Sequence, residues 1–173
     1  MAPHRGSWVY LPASSSRSWH LAREAKARNA VREQVMEKTA VCHCGSLRVI
    51  ASGEPIRVYV CHCAPCQRRT GAIMHSGAIF LKSQVRIEGA SKIYARNADS
   101  GNEVRFHFCP NCGSNIYYEF DRSPDECGIP VGTFADPEFV PPTYSAYEES
   151  MHHWVRLPSG INHFPKSRPL ASR

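Results

Sequence analysis

Cys61-His62-Cys63-Ala64-Pro65-Cys66 decides how this chain is read: three thiols within six residues. Upstream stands Cys42-His43-Cys44-Gly45, and downstream Cys109-Pro110-Asn111-Cys112-Gly113. Seven of the eight cysteines thus come as two, three and two. A disulfide framework fits this poorly, because a Cys-x-Cys bridge is strained and nothing at the N-terminus resembles the apolar core of a secretory signal. The same pattern in an intracellular setting points to metal binding or catalysis.

Structural zinc takes four ligands in a tetrahedron, with each thiolate about 2.3 Å away. One two-cysteine chelate cannot close that shell, but two can. Cys42, Cys44, Cys109 and Cys112 therefore make one closed, structural site. Cys61, Cys63 and Cys66 supply three thiolates and leave a tetrahedral position vacant, as catalytic zinc sites do. Cys127, His62, His75 and His107 are the alternatives that would fill it; His43 and His62 otherwise read as bystanders. Zinc with three thiolates is a weak Lewis acid, so thiol chemistry suits it better than water activation. A zinc deaminase is excluded, because it needs His-x-Glu ahead of Pro-Cys-x-x-Cys and this chain has none.

Around the cysteines the texture is β. Short apolar or alternating runs lie at Leu47–Ile50, Ile56–Val60, Gly77–Leu81, Val85–Ile87, Lys92–Ala95, Glu103–Phe108 and Asn115–Phe120. Runs of this length, separated by turn residues, predict small antiparallel sheets and a mainly β fold. Gly45 and Gly113 suit the tight turns of metal knuckles, where φ is positive. The segment after the central cysteines, Gln67-Arg68-Arg69-Thr70-Gly71, reads as a turn. Arg68 and Arg69 are candidates to hold carboxylates of an anionic thiol, against the alternative of pairing with acids on a neighbouring strand. His152, His153 and Trp154 read either as a cover over the site or as a docked aromatic edge, and Tyr117 and Tyr118 as sheet residues.

The chain has 173 residues and net charge +6. Residues 1–38 carry seven Lys/Arg against three Glu, and the remainder fourteen against twelve. The main domain is nearly neutral, which disfavours nucleic-acid binding there. No apolar run approaches the roughly 20 residues of a membrane span. Residues 1–38 read as a disordered or helical extension, with helix from Leu21 to Lys38, and as a dispensable leader rather than a transit peptide. Residues 39–165 form the zinc-binding domain and 166–173 a tail. A cytoplasmic location is expected.

Together, Cys42-His-Cys-Gly45, Cys61-His-Cys-Ala-Pro-Cys-Gln-Arg-Arg-Thr-Gly71 and Phe108-Cys-Pro-Asn-Cys-Gly-Ser114 resemble the glutathione-dependent formaldehyde-activating enzyme family, which also includes centromere protein V. The resemblance spans about Met36 to Phe164. It implies a β-tent fold, a structural zinc on Cys42, Cys44, Cys109 and Cys112, and a catalytic zinc on Cys61, Cys63 and Cys66. It also implies a carbon–sulfur lyase-type reaction, condensing glutathione with formaldehyde or another small aldehyde. The rival reading is a non-catalytic zinc module that binds protein or nucleic acid.

Overall fold

Two sheets back onto one apolar core, and their strands begin earlier in the chain than the sequence predicts. The computed structural model describes residues 36–99 and 101–169. The first strand, β1, is Glu37–Val41. Glu37 and Lys38 favour helix by propensity, yet they pair antiparallel with Ser52 and Ala51. Tertiary pairing overrides propensity at these two residues; the rest of the expected N-terminal helix lies outside the described residues.

The smaller sheet has the order β1, β2 (Arg48–Ser52), β5 (Val85–Glu88), all antiparallel. The larger sheet has eight strands. At its centre are β3 (Arg57–Cys61), β4 (His75–Leu81), β9 (Ser123–Pro130) and β8 (Asn115–Phe120), in that order. It continues through β7 (Glu103–Phe108) to the edge strand β6 (Lys92–Asn97). On the other side β10 (Tyr144–Ala146) and β11 (Asn162–His163) run parallel to β3 and to each other. One short helix, α1 (Ala64–Thr70), follows β3.

Side chains on a strand alternate between faces, and the two faces of the large sheet have different neighbours. Ala78 and Phe80 of β4 join Leu47, Val49 and Ala51 in a core between the sheets. Ile79, between them, packs on the opposite face with Val104, Phe106 and Tyr118. Tyr117 and Tyr118 divide in the same way, Tyr117 to the first cluster and Tyr118 to the second. The second face is the one that carries the candidate site.

Candidate metal centres and their cavity

The closed cysteine group is built from two knuckles. After β1 the chain turns at Gly45, with φ 81°, and the Gly45 amide donates to the Cys42 carbonyl at 2.9 Å. After β7 it turns at Gly113, with φ 75°, and the Gly113 amide donates to the Cys109 carbonyl at 2.9 Å. The sulfurs of Cys42, Cys44, Cys109 and Cys112 all lie within 4.8 Å of one another. Cys44 Sγ is 3.6 Å from both Cys42 Sγ and Cys109 Sγ. A tetrahedron with bonds of about 2.3 Å has sulfur–sulfur edges of about 3.8 Å, whereas a disulfide is about 2.05 Å. The spacing fits a metal and excludes cystine, and all eight cysteines are free.

The surroundings favour thiolates. The Leu47 amide donates to Cys42 Sγ at 3.2 Å, and the Ser46 hydroxyl lies 3.0 Å from Cys44 Sγ. Hydrogen bonds from the Ser46 hydroxyl, and then its backbone, pull the Cys44 thiol down to about 5. Amide and hydroxyl donors stabilise the charged form of sulfur, which is the form that binds metal.

The second group straddles the junction of β3 and α1. Cys61 ends the strand, Cys63 caps the helix, and Cys66 lies in its first turn. Pro65 lies in the first turn of the helix, where a missing amide costs nothing. Gly71 ends it at φ 69°, its amide donating to the Gln67 carbonyl at 2.8 Å. Residues three apart on a helix share a face, so Cys63, Cys66 and Arg69 line up. Arg68 is one position out of phase and exposed. It is absent from the cavity lining, whereas Arg69 is part of it.

The sulfurs of Cys61, Cys63 and Cys66 lie within 4.8 Å of one another, with Cys61 and Cys63 3.4 Å apart. Sharing of thiol protons pulls Cys63 well below the usual thiol range, Cys61 and then Cys66 donating to it. Among the described residues, no His, Cys, Asp or Glu completes this trio. The four alternatives are engaged or placed elsewhere. Cys127 is buried in the core between the sheets. His107 sits between Ser91 and Glu119, at 3.2 Å from each, and stacks on Tyr117. His75 Nε2 is 3.2 Å from the Tyr118 hydroxyl. His62 is buried outside the cavity lining, and neither ring nitrogen has a partner among the described residues.

The trio opens on a cavity of about 260 Å³. Arg57, Arg69, Arg96 and Arg168 line it, against Asp99 as the single lining acid among the described residues. Arg69 lies over the Phe106 ring, 4.3 Å from its centroid, and its Nη1 donates to Asn115 Oδ1. Its Nε and Nη2 are buried without a partner among the described residues. A buried guanidinium with two open donors is set to receive an anion.

Beside it runs a polar chain that sequence reasoning missed. The Tyr59 hydroxyl is 2.9 Å from the Tyr118 hydroxyl, which in turn meets His75. Burial, and then the charge of Arg69, pushes His75 down to about 3, so the ring is neutral at ordinary pH. Burial pushes Tyr118 up. Gly77 and Gly128 give Tyr118 its room, since a Cβ at either would collide with its hydroxyl or ring. The sequence signal for this slot is two strand glycines, which mark close approach. Trp154 is exposed, its ring against His152, whose Nε2 lies 3.1 Å from Gln67 Oε1. His152, His153 and Trp154 stand outside the cavity lining.

The family model for glutathione-dependent formaldehyde-activating enzyme matches residues 37–150, which include both cysteine groups. This chain belongs to that family. Among solved structures, a Rhodobacter sphaeroides protein determined by crystallography in a structural-genomics programme is 24% identical. It matches over 55% of this chain and 85% of its own, with a TM-score of 0.44, a likeness too distant to bear on function. No curated protein matches this chain. Among the described residues, no helix is long and apolar enough to cross a membrane.

Proposed function

We propose that the chain is a zinc-dependent carbon–sulfur lyase-type enzyme, adding glutathione or a similar thiol to formaldehyde or another small aldehyde. The observation that carries this reading is the incomplete trio: three thiols with no fourth protein donor among the described residues, facing an arginine-lined cavity. Cys42, Cys44, Cys109 and Cys112 would hold a structural zinc, and Cys61, Cys63 and Cys66 a catalytic one. Zinc at the trio supplies a soft centre that keeps an incoming thiol deprotonated yet nucleophilic.

The chain's own residues supply the rest. Arg69 offers its two open donors to a carboxylate of the thiol, fixing the sulfur near Cys66. The new bond joins that sulfur to the aldehyde carbon, and the carbonyl pair moves onto oxygen. If His75 donates from Nε2, the Tyr118 hydroxyl donates to Tyr59, and the Tyr59 proton is left to point into the cavity. A hydroxyl so directed stabilises the developing alkoxide. The oxygen ends by taking up the proton that the thiol lost.

Exchange NMR of glutathione and formaldehyde measures this directly, because the adduct also forms without enzyme. The metal-loaded full chain should accelerate exchange well above the buffer rate, and Cys66→Ala should return it to that rate. Equal exchange with and without the wild-type chain would refute the proposal.

A further inference from the structure

A second chamber, of about 420 Å³, adjoins the cavity and shares Arg57, Tyr144 and Arg168 with it. Its remaining wall includes Asn162 and Phe164. These two and Arg168 follow the segment matched by the family model, which ends at residue 150. They belong to a C-terminal strap that β-type hydrogen bonds fasten beside β10. The Asn162 amide donates to Thr143, the Phe164 amide to Ser145, and the Tyr147 amide to Lys166, at 2.9–3.0 Å. The strap includes residues assigned from sequence to the tail, and it carries Arg168 to the boundary between the chambers.

The charges at that boundary are unequal in their freedom. Arg57 is already engaged: its two terminal nitrogens meet the two carboxylate oxygens of Glu126. Arg168 lies over the face of Tyr144, 5.2 Å from the ring centroid, and among the described residues no carboxylate pairs with it. Tyr144 itself stacks on Tyr59 at 5.5 Å. The outer chamber therefore presents one uncompensated guanidinium above an aromatic floor. One such charge matches a carboxylate, whereas a dianionic phosphate calls for more.

We infer that Arg168 and Tyr144 form an outer carboxylate subsite, separate from the Arg69 donors, that selects an extended thiol with two carboxylates over a small one. This rests on the reading of the inner cavity as the thiol site. A ligand that spans both chambers lays its sulfur at Cys61, Cys63 and Cys66, one carboxylate on Arg69, and its remote carboxylate on Arg168. Selectivity then comes from the strap rather than from the metal centre.

The test is calorimetric binding of glutathione and of each of its two monoethyl esters, without aldehyde, to the zinc-loaded full chain and to Arg168→Ala. Arg168 is exposed, and zinc content and melting temperature confirm that the variant folds. Wild type should bind one monoester about tenfold more weakly than glutathione. Arg168→Ala should bind glutathione about tenfold more weakly, and should be indifferent to that same ester within about twofold, the signature of a coupled pair. Additive losses with both esters, or no binding of glutathione to wild type, would overturn the subsite. Coupled binding without accelerated adduct exchange would instead leave the subsite standing and remove the lyase reading.

Discussion

Substituting the two glycines that flank Tyr118 tests the site's architecture atom by atom. A Cβ at Gly77 would fall deep inside the van der Waals shell of the Tyr118 hydroxyl, and 2.8 Å from Tyr59 Cε1. A Cβ at Gly128 would strike the ring instead, 2.7 Å from Cδ2 and nearer still to Cε2 and Cζ. Tyr118 is 1% exposed and ringed by His75, Phe106 and Phe120, so it has nowhere to retreat. Overpacking of this kind costs about 1–3 kcal/mol. Displacing the hydroxyl by about 1 Å also forfeits its hydrogen bonds to Tyr59 and His75, each worth about 1 kcal/mol. Gly77→Ala and Gly128→Ala should each cost about 2–4 kcal/mol and lower the melting temperature by on the order of 10 °C. The discriminating measurement is the same pair in a Tyr118→Phe background, followed by thermal melting. Removing the hydroxyl relieves the closest Gly77 contact and leaves only the milder one with the Tyr59 ring, 2.8 Å from Cε1, so its cost should fall by roughly half. The Gly128 clash is with ring carbons that phenylalanine keeps, so its cost should persist. Equal rescue of both, or rescue of neither, would refute this account of how Tyr118 is seated.

Elemental analysis should find two zinc ions per wild-type chain and about one in Cys66→Ala, with the fold retained. Cys109→Ala should fail to fold, since a structural zinc contributes on the order of 10 kcal/mol. Arg69→Ala should raise KM for glutathione by an order of magnitude or more, whereas Arg68→Ala should change it by less than about twofold; equal effects would contradict the helical phase of α1. The buried His75 gives a pH signature. Its folded pKa of about 3 lies below the ordinary 6.5, so the unfolded chain binds more protons between those values. Its contribution to stability is complete above pH 6.5 and is lost as pH falls toward 3, at up to about 1.4 kcal/mol per unit. Melting temperatures across that range should show the slope, and His75→Gln should flatten it.

The cysteine groups were legible because chelation is local: short spacing brings two or three sulfurs together whatever the fold. The alternating run Glu103–Phe108 was legible for a similar reason, as its period shows directly in the residues. Helix α1 reads from sequence as a turn, although Pro65 near its start and Gly71 at its end are helix signals; seven residues carry too little apolar period to outweigh the neighbouring β texture. Strands β10 and β11 are three and two residues long and exist through pairing with β3 and with each other. No local pattern announces such strands. The cavity-lining set was hidden for the same reason. Tyr59, His75 and Arg168, with Tyr118 buried behind the first two, come from separate stretches, and only the fold makes them neighbours.

On β4, consecutive residues answer to different masters: Ala78 and Phe80 to the packing between sheets, Ile79 to the chamber wall. The same division separates Tyr117 from Tyr118. Substitutions that reshape the chamber therefore need not disturb the residues that hold the sheets together, and the converse also applies. An arrangement of this kind lets descendants of one scaffold drift toward new small molecules in steps of single residues, each step leaving foldability intact.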